Sequence, residues 1–124
     1  MAMIAEDVLA KIRTASKPKA SQLDLSGMGL TELPSQLSEL THLKELDLSD
    51  NKLTSISPDL EKLKNLLTLK LDNNSLPAFP GALLGLTVLS RLDLGHNSIP
   101  EIPGDILRLE SLKYLRLNDN KIER

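Results

Sequence analysis

The sequence predicts an α/β solenoid of about five stacked repeats, with short parallel strands on a concave face. The first observation is an eleven-residue pattern, LKELDLSDNKL, which begins at Leu43 and recurs at Leu66, Leu89 and Leu112. The second is its interval, which is 23 residues each time, with no insertion or deletion. The third is a weaker copy, ASQLDLSGMGL, one interval earlier at Ala20. A fixed period between about 20 and 29 residues, written LxxLxLxxNxL, is typical of solenoids.

A capping helix is predicted before the first unit. Apolar residues there follow helical spacing, and they are Ile4, Val8, Leu9 and Ile12. We expect this helix to extend to Ala15 and to cover the leucines of the first unit. We expect Pro18 to end the segment, because the residue before a proline is biased away from helical conformations. The predicted organisation is one structural domain in two parts, with residues 1–19 as capping helix and linker and residues 20–124 as solenoid.

Each unit begins with L-x-x-L-x-L, and its last three residues alternate as they do in a strand. In the second unit, Leu46 and Leu48 are expected to point inward, while Glu45, Asp47 and Ser49 point outward. Stacked units then place these strands side by side as a parallel sheet. The ninth position of the later units is asparagine, whose amide can satisfy backbone groups of the bend and of the neighbouring turn. These asparagines are Asn51, Asn74, Asn97 and Asn120.

The second half of each unit is expected to return along the convex side. Proline recurs near one position of this segment, at Pro34, Pro58, Pro80 and Pro103. Because proline lacks an amide donor and fixes φ, it disfavours a strand and allows a short helical start. The pattern therefore predicts an extended piece followed by a short helical turn. Phe79 takes the position that Leu33 and Ile56 hold in other units, so we expect it to fill the core.

Composition and charge exclude several classes of protein. The formal net charge is −2, and the chain has one phenylalanine, one tyrosine and no tryptophan, which disfavours nucleic-acid binding. There is no cysteine, and Glu6 and Asp7 interrupt the opening segment, so an extracellular or secreted class is disfavoured. No window approaches the roughly 18 apolar residues of a membrane span. We therefore expect a cytoplasmic protein with no membrane span.

The sequence offers no support for catalysis. It has no cysteine nucleophile, no glycine-rich phosphate loop and no HExxH spacing. His42 and His96 fall in different parts of their units and do not converge. The aspartates of the concave face lie in single file with cations between them, which is unlike the cluster of oxygen ligands that a calcium site needs. We expect a protein that is not an enzyme and binds no metal or cofactor.

The consensus LxxLxLxxNxLxxLPxxLxxLxx resembles the 23-residue leucine-rich repeats of intracellular proteins, as in the Ras-suppressor, Scribble, plant Ras-group and Roco families. The segment ELPSQLSELTHLKELDLSDNKL matches this pattern closely, and the resemblance covers about residues 20 to 122. Met28 and Ser57 depart from it. The resemblance implies a curved solenoid whose concave sheet binds other proteins, often in small-GTPase or scaffold signalling. The motif does not identify the partner, because its defining residues are structural.

Candidate contacts with a partner lie at the variable outward positions of the strands and their ends. These positions form rows across the units, acidic toward the N-terminal half and basic and aromatic at the other end. The predicted partner-binding residues are Glu45, Asp47, Thr68, Lys70, Asp72, Arg91, Asp93, His96, Tyr114 and Arg116. For the row of alternating charges, mutual neutralisation by solvated neighbours is the alternative interpretation.

Tyr114 is the strongest single candidate. It is the only tyrosine and stands beside Arg91 and Arg116. Tyrosine and arginine are enriched among the energetic anchors of interfaces. The alternative is a ring that covers the exposed end of the sheet.

A second surface is predicted on the convex side, where GALLGLTVL carries no charge. An exposed apolar patch there would mark an interaction site. Its residues would be Leu67, Leu84, Val88 and Leu107. The alternative is that these side chains pack between neighbouring return segments.

The favoured function is a non-enzymatic, intracellular module that binds a protein partner on the concave sheet. A first alternative is the recognition segment of a larger signalling enzyme, such as a Roco-type GTPase. A second is a self-assembling structural protein joined through an open strand near Tyr114 to Leu117, since open strand edges pair with other chains. Weak self-association at that edge is therefore a further expectation.

Overall fold

The computed structural model, which describes residues 6–17 and 19–122, contains one five-stranded parallel sheet. Its strands follow chain order and are β1 Gln22–Asp24, β2 Glu45–Asp47, β3 Thr68–Lys70, β4 Arg91–Asp93 and β5 Tyr114–Arg116. Each of the first four strands pairs in register with the strand 23 positions later, so that Leu46 lies beside Leu69 and Leu69 beside Leu92. The predicted solenoid of about five units is confirmed. Each strand begins one residue earlier than the leucine alternation predicts.

The return segments contain short 3₁₀ helices, which are Ser35–Glu39, Pro58–Lys62, Gly81–Gly85 and Gly104–Arg108. The residue before each helix is extended, and it is proline in three units, as at Pro80 with φ −70° and ψ 119°. In the second unit Ser57 takes this place, and its hydroxyl accepts a hydrogen bond from the Asp59 amide at 3.2 Å. The prediction of an extended piece followed by a helical turn is confirmed, and the serine compensates with a side-chain cap.

One continuous leucine core runs between the sheet and the return segments. The repeated leucines of the middle units are fully buried, among them Leu43, Leu66 and Leu89. Phe79 is partly buried and packs against this core, as do Leu33 and Ile56 at the same position. The prediction that Phe79 fills the core is confirmed.

The helix α1, Glu6–Ala15, caps the first unit and buries Val8, Ile12 and Ala15 in the same core. Ile4 and Pro18, which the sequence placed at the ends of this segment, lie outside the described residues. His42 Nε2 lies 2.7 Å from the carbonyl oxygen of Ala15. The imidazole N–H thus donates to the last turn of α1, where a helix leaves its carbonyls without an intrahelical partner. Sequence reasoning gave His42 no role.

In the part of the chain that the structure describes, no helix is long and apolar enough to cross a membrane.

Candidate functional site

The asparagine of position nine fixes the bend at the end of each strand. The Asn97 Nδ2 donates to the carbonyl oxygens of Leu71, Leu94 and Gly95 at 3.0 to 3.2 Å, and its Oδ1 accepts from the Leu76 amide at 3.0 Å. Asn51, Asn74 and Asn120 make equivalent bonds. The predicted structural role of these side chains is confirmed, so the candidate site begins with the residues around them.

The residue before each asparagine adopts left-handed backbone conformation, with φ between 53° and 57° at Asp50, Asn73, His96 and Asp119. Asparagine, aspartate and histidine are the non-glycine residues enriched in this region, so all four residues suit the turn. The turn brings His96 Nε2 to 3.2 Å from the Asp119 carboxylate. The structure therefore places His96 at the rim of the sheet, paired with the next unit.

Strand pairing aligns the predicted rows of outward residues. The first row is Gln22, Glu45, Thr68, Arg91 and Tyr114, and the second is Asp24, Asp47, Lys70, Asp93 and Arg116. Neighbouring members of a row stand about 4.8 Å apart, the spacing of paired strands. A protein partner could therefore contact several of these side chains at once.

Carboxylates dominate the N-terminal half of this face. Asp47 Oδ1 accepts from the Ser49 amide at 2.9 Å and from its hydroxyl at 2.6 Å, and Oδ2 lies 3.8 Å from Lys70 Nζ. Asp24 makes the same two bonds with Ser26, and these bonds lower the pKa of the Asp24 carboxyl below its ordinary value. A shallow concavity of about 200 Å³ lies over β1 to β3. This half presents carboxylates around a small depression.

Asp93 does not face solvent as expected. Its exposed fraction is 5%, because its Oδ1 accepts from the Gly95 amide at 3.0 Å and its Oδ2 lies 3.8 Å from the Arg116 guanidinium. Asp93 is therefore buried where the sequence led us to expect an exposed side chain, and its contact with a partner stays a prediction. This carboxylate forms an ion pair with the exposed Arg116.

The C-terminal half presents three exposed side chains on adjacent strands, Arg91, Tyr114 and Arg116, which we name the Arg–Tyr cluster. Arg91 on β4 pairs in register with Tyr114 on β5, and Arg116 follows on β5. Tyr114 is 66% exposed, so its ring covers little of the sheet. No residue of the described segments forms an ion pair with Arg91. The cluster is therefore open to a partner.

Asp72 lies two residues after β3, in surroundings that disfavour its ionised form. Its Oδ1 is buried and has no hydrogen-bond partner among the described residues. Burial, and secondly the neighbouring Asp93 charge, raise the pKa of the Asp72 carboxyl above its ordinary value. A buried acceptor without a donor costs free energy. The fold therefore makes ionisation of Asp72 less favourable than it is in the unfolded chain.

Replacing Asp72 by asparagine should stabilise the protein at neutral pH. Because the folded-state pKa is raised, the folded protein binds more protons than the unfolded chain between the ordinary carboxyl pKa of 3.8 and the higher folded value. Stability is therefore lost as pH rises through that window. We expect Asp72→Asn to gain a few tenths to about 1 kcal/mol at pH 7 and to gain little at pH 3. Urea denaturation of both proteins across this pH range measures the difference.

Asp24→Asn is the matched control, because the pKa of Asp24 is lowered instead of raised. Its stabilising contribution is present above the ordinary carboxyl pKa and is lost as pH falls. This variant should therefore be less stable than the parent at pH 7. If Asp72→Asn lowers the free energy of unfolding at pH 7, as Asp24→Asn should, the ionised form of Asp72 is not disfavoured in the fold.

The convex side gives a mixed result for the predicted apolar patch. Leu107 is 84% exposed, and Leu67 and Val88 are also exposed. Leu84 is half-buried, so the alternative of packing between return segments applies to it. Leu84 is less exposed than Leu107 because its helix, Gly81–Gly85, packs against a 3₁₀ helix on each side. The helix of Leu107, Gly104–Arg108, has such a neighbour on one side within the described residues. The four side chains therefore do not share one environment.

No group of three or more histidine, cysteine, aspartate or glutamate side chains that could hold a metal ion occurs within residues 6–17 and 19–122.

A family model described as leucine rich repeat matches residues 18–76, 43–99 and 78–122, which together span the solenoid. The chain belongs to the leucine-rich repeat family. Leucine-rich repeat domains generally serve as protein–protein interaction modules. A comparison with curated protein sequences gives no match.

Several solved leucine-rich repeat structures are similar to this chain. Internalin C2 from Listeria monocytogenes is 29% identical with a TM-score of 0.76, over 91% of this chain and 48% of that one. A leucine-rich repeat protein of Leptospira interrogans is 25% identical with a TM-score of 0.74, over 98% and 36%. The leucine-rich repeat domain of the type III effector XopL is 25% identical with a TM-score of 0.79, over 92% and 40%. This chain spans less than half of each of them.

Proposed function

We propose that this leucine-rich repeat chain is a non-enzymatic interaction module that binds a protein partner on its concave sheet. The observation that carries the proposal is the Arg–Tyr cluster, which is exposed on two paired strands. Tyrosine and arginine are the residue types that most often dominate interface energetics. Since paired strands hold them, little ordering is needed when a partner binds.

The remaining outward residues orient the partner. Glu45, Asp47, Thr68 and Lys70 lie on the neighbouring strands, where exposed charges steer an approaching protein more than they add affinity. Asp93 acts indirectly, through its ion pair with Arg116. The proposed division of roles is affinity from the Arg–Tyr cluster and orientation from the charges beside it.

The resemblance to Ras-suppressor, Scribble, plant Ras-group and Roco repeats supports a partner in small-GTPase or scaffold signalling. Identifying the proteins that co-purify with the chain from a lysate of its source organism tests this part of the proposal. A set without any GTPase or scaffold protein would contradict it.

Tyr114→Ala should weaken binding to the physiological partner at least about fivefold, since truncating an interface anchor costs more than ~1 kcal/mol. Tyr114 contributes little to the core, so the fold should be retained. The measurement is the dissociation constant of the purified partner, first captured from the source lysate with the parent chain. Circular dichroism and urea denaturation check that the variant is folded.

Two convex-side variants serve as controls for this experiment. Leu107→Ala removes a side chain that is more exposed than Tyr114, and Arg108→Ala removes an exposed guanidinium, for comparison with Arg91→Ala. Both controls should bind as the parent does. A folded Tyr114→Ala/Arg91→Ala protein with unchanged affinity would refute the concave site.

A second candidate function is self-association through β5. Strand β5 pairs with β4 alone among the described strands, and Leu115 in it is only partly buried, whereas the equivalent Leu92 is fully buried. Unpaired strand edges are templates for another chain. Light scattering across a wide concentration range decides it, since a mass that stays at the monomer value rules it out.

A further inference from the structure

The concave face carries opposite charges at its two ends. Strands β1 and β2 present Asp24, Glu45 and Asp47, and the adjacent β3 contributes one cation, Lys70. Strands β4 and β5 present Arg91 and Arg116, and the one carboxylate between them, Asp93, is buried. The sequence already indicated an acidic N-terminal half and a basic, aromatic end, and the burial of Asp93 leaves Arg91 and Arg116 as the exposed charges of β4 and β5.

The N-terminal end keeps its negative charge in the folded protein. The serine hydroxyls and amides that bond Asp24 and Asp47 hold these carboxylates in place. Lys70 offsets part of the charge of Asp47 at 3.8 Å. Within the described segments, neither Asp24 nor Glu45 forms an ion pair. These two carboxylates are therefore free of a direct ion pair, although the charges of Lys11 and Lys70 contribute to lowering the pKa of Asp24.

The C-terminal end keeps donors available to a ligand. Arg91 has no ionic partner in the described part of the chain, and the closest approach of Arg116 to Asp93 is 3.8 Å, longer than a hydrogen bond. A guanidinium carries five N–H donors in a fork that fits a carboxylate. The exposed Tyr114 pairs in register with Arg91 and lies two residues before Arg116 on β5. Carboxylates are the groups that this end fits.

We infer that the concave face selects a charge-segregated partner segment, with carboxylates over the Arg–Tyr cluster and cations over β1 and β2. This inference rests on the proposed concave binding function and names the partner's chemistry. From β2 to β4 the distance is about 10 Å and from β1 to β5 about 19 Å, at about 4.8 Å per strand. An extended segment rises about 3.3 Å per residue, so its two charged groups stand roughly three to six residues apart.

Segregation of charge also explains what the face rejects. A uniformly acidic segment would meet Asp24 and Glu45 at the far end, and a uniformly basic one would meet Arg91 and Arg116. Like charges brought together across an interface disfavour the wrong partner. The face thus discriminates by the order of charges along the partner and not by their number.

Selection of a random dodecapeptide phage library on the immobilised parent chain tests the inference. The expected pool is enriched both in Asp or Glu and in Lys or Arg, with the two kinds separated along the peptide. A synthetic peptide from this pool should bind at least about tenfold more weakly to Arg91→Glu than to the parent. A scrambled peptide of the same composition, with charges mixed, should also bind more weakly to the parent.

Arg108→Glu is the matched control, because it reverses an exposed arginine on the convex side. It should bind the selected peptide as the parent does, and equal losses in both variants would overturn the inference. A pool without charge segregation whose binding still requires Tyr114 would overturn it and leave the concave function intact. Peptides that bind the parent, Tyr114→Ala and Arg91→Glu equally would refute the concave function itself.

Discussion

Replacing Asn97 by alanine should lower the free energy of unfolding by about 3 kcal/mol. The change removes four hydrogen bonds in a buried bend. The Leu76 amide loses its partner, and an unsatisfied buried donor costs about 1–3 kcal/mol. The carbonyls of Leu71 and Leu94 each keep a second donor, from Asn74 and Asn120. The expected loss of unfolding free energy is therefore smaller than the cost of leaving four buried polar groups without a hydrogen-bond partner.

Asn65→Ala is the matched control for Asn97→Ala. Asn65 is exposed and donates one hydrogen bond, from Nδ2 to the Thr41 carbonyl at 2.8 Å. Because water can replace that bond, the loss should stay below about 1 kcal/mol. Urea denaturation followed by circular dichroism measures both variants. A loss for Asn97→Ala no larger than that for Asn65→Ala would show that the asparagine ladder is not structural. If the unfolding free energy of Asn97→Ala depends less steeply on urea than that of the parent, the units before and after Asn97 unfold separately.

The fold could be predicted because the period repeats without interruption. An invariant interval of 23 residues puts the leucines and asparagines of one position in equivalent places of successive units. A role assigned to Asn51 therefore holds for Asn97, and the return segments follow from the recurring prolines. Even the departure at Ser57 keeps the geometry, since its hydroxyl caps the helix that follows.

The properties of the concave face were less accessible, because they depend on pairs of side chains from different units. Asp93 is buried because glycine follows at position 95 and arginine stands on the next strand, a combination that no other unit has. The pKa of Asp72 is raised by burial and by the charge of Asp93 on the next strand, and the charge of Lys70 offsets part of this effect. The His42 bond to α1 joins residues 27 positions apart and leaves no local signal. The rows of residues and the signs of their charges were predictable, but the burial and hydrogen bonding of individual members were not.

Leu69→Ala should destabilise the protein by about 3–5 kcal/mol, the range for removing a buried leucine without collapse of the cavity. Leu69 is fully buried at the centre of β3, between Leu46 and Leu92 of the neighbouring strands. Both neighbours belong to paired strands, so the backbone has little freedom to close the space. Urea denaturation of the variant gives the loss directly.

The same change at Leu115 measures how far the core is covered at β5. Leu115 occupies the equivalent position but is only partly buried, so Leu115→Ala should cost about half as much or less. Equal losses of unfolding free energy for Leu69→Ala and Leu115→Ala would contradict the difference in burial between the two positions. Since Leu69 points away from the concave face, the folded Leu69→Ala protein should bind the partner as the parent does. An affinity that falls together with stability would mean that the leucine core, and not the outward side chains alone, sets the geometry of the Arg–Tyr cluster.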